Sequence, residues 1–402
     1  MRESLRYALG LVAAFYVGFS VVSILNTVVF IHPEGNHLNN PTLYEVSRAI
    51  ARRGASALFL PGDAYYGGRP KGLLSRLLNK VLAEFGERLP RFMKCLLVLF
   101  LYARHFKAIS RSICIVGVDH CGIIQAEFLS SLFRKRLGFF SFEIMFADEF
   151  GVRKKEMEVA ACRRISFCIV QDHIREELLA LQNNINFPSL LVPVGNAGLP
   201  TPQRWRVRDK LGVPMDKKVA IIIGSLADWT CADDIIRAFC VSSDSTWCLI
   251  VHGRFDGESA AFLNGFSSSK IFMSTEPMDF NAMASLFDGV DVGLAFYKSV
   301  PGNPFLGKNI EYIGLASGKI SNYLRHGVPV ITNLRGEIGD LILRYNAGFV
   351  VPGATDIFLG LSCLEQSMSD GAISLFGNVF DFSNYEDQLI KQLLPDYSSN
   401  AK

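Results

Sequence analysis

The segment from Gly314 to Asn333, GLASGKISNYLRHGVPVITN, contains the residue types best suited to binding a diphosphate. Gly314 and Gly318 have no side chain, so the backbone can approach a ligand closely at both positions. Lys319 adds a cation near the expected start of a helix, where unpaired N–H groups already attract anions. The pattern predicts a phosphate site, although an ordinary connection between a helix and a strand would have a similar sequence.

A second glycine-rich loop precedes this segment. The stretch from Gly302 to Asn309, GNPFLGKN, matches the GxxxxGK spacing of a phosphate-binding loop. It has Asn309 where such a loop needs Ser or Thr to hold magnesium, and no clear helix start follows it. A nucleoside triphosphatase is therefore disfavoured, and we expect the N–H groups of this loop to lie over a diphosphate.

Polar residues also follow two apolar runs in the C-terminal half of the chain. Gly224 and Ser225 come after KVAIII, and Arg254 comes shortly after WCLIV. The forked guanidinium of Arg254 could bind a phosphate through two parallel hydrogen bonds. An arginine in a tight surface turn needs no such role, so both interpretations stay open.

The N-terminal half supplies the candidate catalytic residues. His120 follows Asp119 after the run SICIVGV, at the strand end where open α/β sheets gather ligands, and it could orient a sugar. Glu143 lies in the aromatic stretch FFSFEIMFADEFG, which could raise its pKa and suit an acid-base role. Both side chains could equally be structural. A loop facing the same cleft is expected after the first strand, at Gly35, Asn36 and His37.

Short apolar runs alternate with amphipathic stretches, as in parallel sheets covered by helices. Helices are predicted from Ile123 to Phe133, over HIREELLALQN, and from Lys319 to Arg325. The stretch from Phe187 to Pro202 contains four prolines and two glycines and is the best candidate for a linker. We therefore predict an apolar segment over 1–25, α/β domains over 26–198 and 203–378, and a final segment, 379–402, whose helix returns to the first domain.

One family shows the same pattern. Ser317-x-Lys319, a polar side chain at Asn322, Tyr323 and then Gly-x-Pro-Val-Ile resembles the donor-site signature of GT-B glycosyltransferases, especially the retaining enzymes of family 4. The segments VAIIIGSLADW, VPVGNAGLP and IHPEGNHLNNPTLYEVSRAIARRG extend the resemblance over most of the chain from about residue 26. It implies two doubly wound Rossmann-like domains that face each other across a cleft.

The resemblance also implies what the site binds. The substrates would be a nucleotide sugar, such as a UDP- or GDP-sugar, and a glycan or lipid-linked acceptor in cell-surface polysaccharide or glycolipid synthesis, with retention at the sugar carbon. No convincing DxD is present, so no metal and no further cofactor are expected. The donor site would comprise Gly224, Ser225, Arg254, Asn309, Ser317, Gly318, Lys319 and Asn322.

The sequence departs from the family at two positions. Family members often carry two glutamates eight positions apart, and these fall here on Gly314 and Asn322. Asn322 could still form a hydrogen bond with a ribose hydroxyl, and Asn309 or Glu311 is the candidate to replace the first carboxylate. Two alternatives therefore stay open: a GT-B protein that binds a nucleotide sugar or a partner without turnover, and a GT-B epimerase that acts on the nucleotide sugar.

The composition excludes some classes and suggests a location. The chain has 402 residues, half of them apolar, with 41 basic and 38 acidic residues, so neither a disordered chain nor a nucleic-acid-binding protein is expected. Its nine cysteines form no CxxC pair, which favours a reducing compartment. The apolar stretch from Tyr7 to about Ile24 and the basic stretch from Lys71 to Arg111 suggest an enzyme on the cytoplasmic face of the membrane, anchored or interfacial.

Overall fold

The computed structural model describes residues 26–35, 37–62, 99, 101–201, 206–253, 269–274, 278 and 282–395. Within them lie two six-stranded sheets in which every strand pair is parallel. The predicted apolar segment over 1–25 and most of the basic stretch lie outside the described residues. No helix in the described ranges combines the length and apolarity needed to span a bilayer.

The first sheet has the strand order β2-β1-β3-β4-β5-β6. Its strands are β1 (Thr27–His32), β2 (Ser56–Pro61), β3 (Cys114–Val118), β4 (Arg136–Phe140), β5 (Phe167–Val170) and β6 (Leu190–Leu191). The helices among these strands are α1 (Pro41–Arg52), α2 (Phe106–Arg111), α3 (Asp119–Phe133), α4 (Ala147–Phe150), α5 (Val152–Cys162) and α6 (His173–Asn183).

The second sheet has the order β12-β11-β10-β7-β8-β9. Its strands are β7 (Lys218–Ile223), β8 (Trp247–His252), β9 (Ile271–Ser274), β10 (Val292–Ala295), β11 (Val330–Thr332) and β12 (Gly348–Val350). The helices of this half are α7 (Val207–Lys210), α8 (Ala232–Val241), α9 (Met283–Phe287), α10 (Lys308–Glu311), α11 (Gly318–Arg325), α12 (Glu337–Arg344), α13 (Ile357–Ser362), α14 (Met368–Leu375) and α15 (Glu386–Leu393).

Both faces of each sheet are buried, which explains why the strands are continuous apolar runs. Along β1, Val29 and Ile31 pack into one core cluster, while Val28 and Phe30 pack into another on the opposite face. The second sheet divides its strand residues in the same way between two further clusters. The structure therefore confirms the predicted α/β class with two doubly wound sheets.

Helix α3 begins at Asp119, four residues before the predicted start at Ile123. Asp119 has a φ of 53°, so the chain turns directly from β3 into the helix. Gly117 and Gly122 allow this, because a side chain at Gly122 would overlap the carbonyl oxygen of Ile31. The glycines of GVDHCG thus serve close packing of α3 on the sheet, and Asp119 and His120 lie in the first turn of a helix.

We expect Gly122→Ala to lower the free energy of unfolding by about 1–3 kcal/mol, because the new methyl group must displace the backbone of β1. Chemical denaturation measures the change. Gly377→Ala is the matched control, since nothing lies within 4 Å of a methyl group placed there. Equal stability of the two variants would contradict the packing argument.

The chain crosses twice from one domain to the other. The passage near Asn196 meets the one near Phe382, whose N–H donates to the Asn196 carbonyl at 3.1 Å. Helix α15 then packs on α1 in the first half, where Leu389 joins the core of the first sheet. An ion pair of 2.5 Å between Arg52 and Glu386 adds to this contact.

Candidate functional site

The start of α11 is built as a polar corner at the ends of β7 and β10. Ser317 caps the helix, since its hydroxyl accepts the Ile320 N–H at 3.3 Å. The Tyr297 hydroxyl, just beyond β10, lies 2.5 Å from the Ser317 hydroxyl. Gly318 is the first residue of the helix, so the N–H groups of its first turn open at this corner.

Lys319 projects from this corner over two neighbouring aromatic rings. Its ammonium lies over the rings of Trp229 and Tyr297, 5.4 Å and 5.6 Å from their centroids. No salt bridge or hydrogen bond to this ammonium occurs among the residues that the structure describes. Burial lowers the pKa of Lys319 to about 8, although the nearby Cys231 opposes the shift. Lys319 is only partly exposed, so it is not the freely solvated lysine that a helix start suggests.

Gly224 and Ser225 lie exposed beside Lys319, as expected for residues that follow β7. Gly224 has a φ of 92°, and a methyl group there would lie 3.4 Å from Lys319 Cε. A side chain at Gly253, after β8, would overlap the Gly224 carbonyl oxygen. The two strand ends and the helix start therefore meet closely, with glycines that leave room for a ligand.

Asn322 lies one turn into α11. Its amide donates to the Gly318 carbonyl oxygen at 2.9 Å, so its Oδ1 is the atom available to a ribose hydroxyl. Arg254 and Asn36 lie outside the described residues. Gly35 has a φ of 66° in the turn after β1, and His37 stacks on Phe59 with ring centroids 4.3 Å apart. The proposed roles of all these residues stay predictions.

Arg175 of α6 is fully buried and connects the two halves of the chain. Across the contact it donates to the Tyr312 carbonyl at 2.9 Å and to Asn309 Oδ1 at 3.3 Å. On its own side it donates to Gln171 Oε1 at 2.8 Å and to the Phe142 carbonyl at 2.5 Å. The guanidinium thus fixes the glycine-rich loop of the second half against the first.

Asp172 makes the neighbouring contact. One carboxylate oxygen accepts the Arg175 N–H at 2.8 Å, and the other accepts the Leu315 N–H at 2.9 Å. A side chain at Gly314 would overlap this second oxygen. The position where the family resemblance places the first glutamate is therefore closed by a carboxylate from the other domain.

The glycine-rich loop itself points toward the first domain. The Lys308 N–H donates to both carboxylate oxygens of Glu149, at 3.2 Å and 3.0 Å, and the Lys308 ammonium pairs with Asp148. Asn309 is buried, and its Oδ1 also accepts the Ile144 N–H at 3.0 Å. Our expectation that this loop lies over a diphosphate is wrong for the Lys308 N–H, because a carboxylate already occupies that donor.

Two carboxyl groups lie together where β3 and β4 end. Asp119 accepts the N–H groups of Phe142 and Glu143, at 2.7 Å and 2.9 Å. Burial and the charge of Glu143 raise the pKa of Asp119 to about 8, against these hydrogen bonds and the charge of Arg175. Burial also raises the pKa of Glu143, with Arg175 opposing and Glu34 adding to the rise. A raised pKa suits a carboxyl group that donates a proton. The catalytic role of Glu143 stays a prediction.

We expect Asp119→Asn to flatten the pH dependence of stability. Because the folded-state pKa of Asp119 lies near 8 and an unfolded aspartate titrates near about 3.9, the folded state holds the extra proton. Its stabilising contribution is complete below about pH 4 and is lost as the pH rises toward 8. Asparagine retains the acceptor oxygen and cannot ionise. Urea midpoints between pH 4 and 8 that fall equally in both proteins would contradict this assignment.

His120 lies inside the first domain. Its Nδ1 is 3.1 Å from Glu158 Oε2, which also accepts the Lys155 ammonium at 3.0 Å. Burial alone would raise the pKa of Glu158, but the hydrogen bond with His120 and the charge of Lys155 lower it overall. Phe150 packs edge-on against the imidazole at 4.4 Å. The ring is therefore held rigidly, and its action on a substrate stays a prediction.

Sequence analysis missed three residues of this region. Trp229 follows an exposed turn and has no sequence signal. Asp172 and Arg175 do have one, because Asp172 caps α6 and Arg175 sits in its first turn. A cation there is unfavourable to the helix dipole, so an arginine in that position indicates a tertiary partner. Within the described part of the chain, no group of three or more His, Cys, Asp or Glu side chains could hold a metal ion.

Two parallel α/β domains, a polar helix start at the edge of the second sheet, and a C-terminal helix that returns to the first define the GT-B fold. Solved glycosyltransferases confirm this. HepE from Anabaena in complex with UDP superposes with a TM-score of 0.65 at 15% identity, over 91% of this chain and 99% of that one. Sucrose-phosphate synthase from Thermosynechococcus elongatus gives 0.64 at 13%, over 92% and 99%.

A glycosyltransferase from Rickettsia africae gives a TM-score of 0.65 at 11% identity, over 94% of this chain and 100% of that one. No protein-family model matches the sequence, and neither does any curated protein. The resemblance to GT-B glycosyltransferases is thus confirmed in the fold, at identities too low to transfer an activity.

Proposed function

We propose that the chain is a glycosyltransferase that takes a sugar from a nucleoside diphosphate donor bound at the start of α11. One observation carries this proposal: Lys319 is a largely buried cation with no counter-ion in the described residues, beside the open first turn of α11. An unpaired buried charge is costly, and a diphosphate would supply the missing partner. During transfer, the same ammonium would stabilise the charge that grows on the leaving diphosphate.

The solved structures of similar fold suggest which donor to test first. HepE has been solved with UDP, with UDP and glucose, and with UDP-glucose, so UDP-glucose is the first donor to test. The Oδ1 of Asn322 would accept a ribose hydroxyl. We further propose hexosyl transfer without a bound metal, and with retention at the sugar carbon.

The acceptor is proposed to be a glycan or lipid-linked sugar of a cell-surface polysaccharide or glycolipid. The basic residues in the sequence from Lys71 to Arg111 and the apolar sequence from Tyr7 to about Ile24 support a position of the first domain at the cytoplasmic face of the membrane, where a lipid-linked acceptor lies. Half-buried Glu143, at the strand ends of that domain, is the carboxyl group proposed to exchange a proton in the cleft.

A second candidate is a GT-B protein that binds a nucleotide sugar without turning it over. The closure of Gly314 by Asp172 favours it, because the carboxylate that the family places there is absent and cannot be accommodated in this arrangement of the domains. Binding and turnover therefore have to be measured separately.

The test compares UDP, uridine and UDP-glucose. Calorimetry should show tight binding of UDP and no measurable binding of uridine, since Lys319 and the helix start contact only the diphosphate. UDP release from UDP-glucose, with and without EDTA, then measures turnover. UDP binding without any release of UDP across a panel of acceptors would favour the second candidate, and equal binding of UDP and uridine would overturn the diphosphate assignment.

A further inference from the structure

Trp229 and Tyr297 form one aromatic surface under the Lys319 ammonium, here called the aromatic bracket. Both rings lie within 6 Å of the ammonium, the range in which an aromatic face attracts a cation. The two rings are themselves neighbours, with centroids 6.2 Å apart. Trp229 comes from the short 3-10 turn Asp228–Thr230 after β7, so the bracket connects that turn to α11.

Among the described residues, few charged groups lie near the bracket. Asp228 and Lys298 pair with each other at 3.1 Å at the surface, and Asp234 lies in the first turn of α8. Burial raises the pKa of Cys231, so its thiol brings no charge at neutral pH. Burial also raises the pKa of Tyr297. The side chains of Trp229, Tyr297 and Cys231 near the ammonium are therefore all uncharged at neutral pH.

We propose that Trp229 is a positioning residue of the donor site: with Tyr297 it holds the partly buried Lys319 ammonium at the place where a diphosphate binds. The inference rests on the proposed function and adds a residue to it. A cation held in place needs no reordering when the phosphate arrives, and a poorly hydrated one gains more from the contact. Trp229 acts through Lys319 and not by stacking on the nucleobase.

A pH effect follows from the same geometry. The pKa of Lys319 near 8 means that the ligand-free protein loses this proton as the pH rises above 8. A diphosphate favours the charged form, so its binding should take up a proton there, and its affinity should fall up to about tenfold for each further pH unit. Without the Trp229 ring, water reaches the ammonium, so the pH at which the affinity begins to fall should be higher.

The experiment measures binding of UDP and of inorganic pyrophosphate to wild type, Trp229→Leu, Trp229→Phe and Lys319→Met. Pyrophosphate has no base, so it separates an effect through Lys319 from stacking. We expect Trp229→Leu to lower the affinity for both ligands by the same factor, about tenfold. Trp229→Phe should recover most of the lost affinity. In the Lys319→Met background, Trp229→Leu should change neither affinity.

The pH series uses UDP, whose phosphates are fully ionised above pH 7. Calorimetry in two buffers of different ionisation enthalpy measures proton uptake near pH 8.5, and needs only the wild-type protein if Trp229→Leu does not fold. Absence of proton uptake would overturn the proposal. So would a loss of affinity in Trp229→Leu that affects UDP but not pyrophosphate, or an affinity for UDP that begins to fall at the same pH in Trp229→Leu as in wild type. Failure of wild type to bind either ligand at any pH would instead reject the proposed function.

Discussion

Lys319→Met should abolish the stabilisation of the protein by UDP. Methionine keeps about the length and the apolar body of the side chain over Trp229 and Tyr297 but offers no charge to a diphosphate. Loss of charge-assisted hydrogen bonds predicts an affinity at least about a hundredfold lower, or roughly 3 kcal/mol. The shift of the melting temperature with UDP concentration, confirmed by calorimetry, measures it.

The same variant should be more stable than wild type without ligand. Replacing a largely buried cation, for which the described part of the chain supplies no counter-ion, by an apolar group of similar volume should add about 1 kcal/mol, or roughly 2–4 °C in melting temperature. Lys298→Met is the control, because Lys298 is 55% exposed and paired with Asp228, and it should change neither property much. If Lys319→Met binds UDP as tightly as wild type does, Lys319 does not bind the diphosphate and the proposed function loses its main support.

Arg175→Met should destabilise the protein by about 3–5 kcal/mol. The substitution leaves the carbonyl groups of Phe142 and Tyr312 without their donor, and it removes the positive charge beside the carboxyl groups of Asp119 and Glu143. The midpoint of urea denaturation measures the loss. Because the contact joins the two domains, UDP binding should also weaken in this variant.

Arg164→Met provides the matched control for Arg175→Met. Arg164 lies in the same domain, is 52% exposed and pairs with Glu127 at the surface, so its loss should cost at most about 1 kcal/mol. Similar urea midpoints for the two variants would show that the buried guanidinium does not hold the domains together.

Much of the fold could be predicted from the sequence, because parallel strands buried on both faces leave unmistakable apolar runs. Helix α6 has the bounds predicted from HIREELLALQN, and α11 begins one residue before the predicted start. The start of α3 was missed because a left-handed aspartate at position 119 replaces the loop that usually follows a strand. Such a backbone conformation depends on tertiary hydrogen bonds, which local sequence does not record.

The site was predicted less completely than the fold. Four predicted donor-site residues lie close together because each follows a strand or begins a helix: Gly224, Ser225, Gly318 and Lys319. The positions of those strand and helix ends can be predicted from the periodicity of the sequence. The contacts of Asp172 and Arg175 join residues about 140 positions apart, and Trp229 in its short turn meets Lys319 of α11 from about 90 positions away. Only the packing of the domains brings such pairs together.

The return of α15 to the first sheet has a consequence for the order in which the protein can form during synthesis. Phe382, Leu389, Ile390, Leu393 and Leu394 complete one face of a core whose other buried residues are all made before the second domain. The second domain can therefore close while the first still exposes apolar surface beside β1 and α1. A chain truncated after residue 381 should hold a folded second domain and an incomplete first one, the state in which chaperone binding and aggregation are most to be expected.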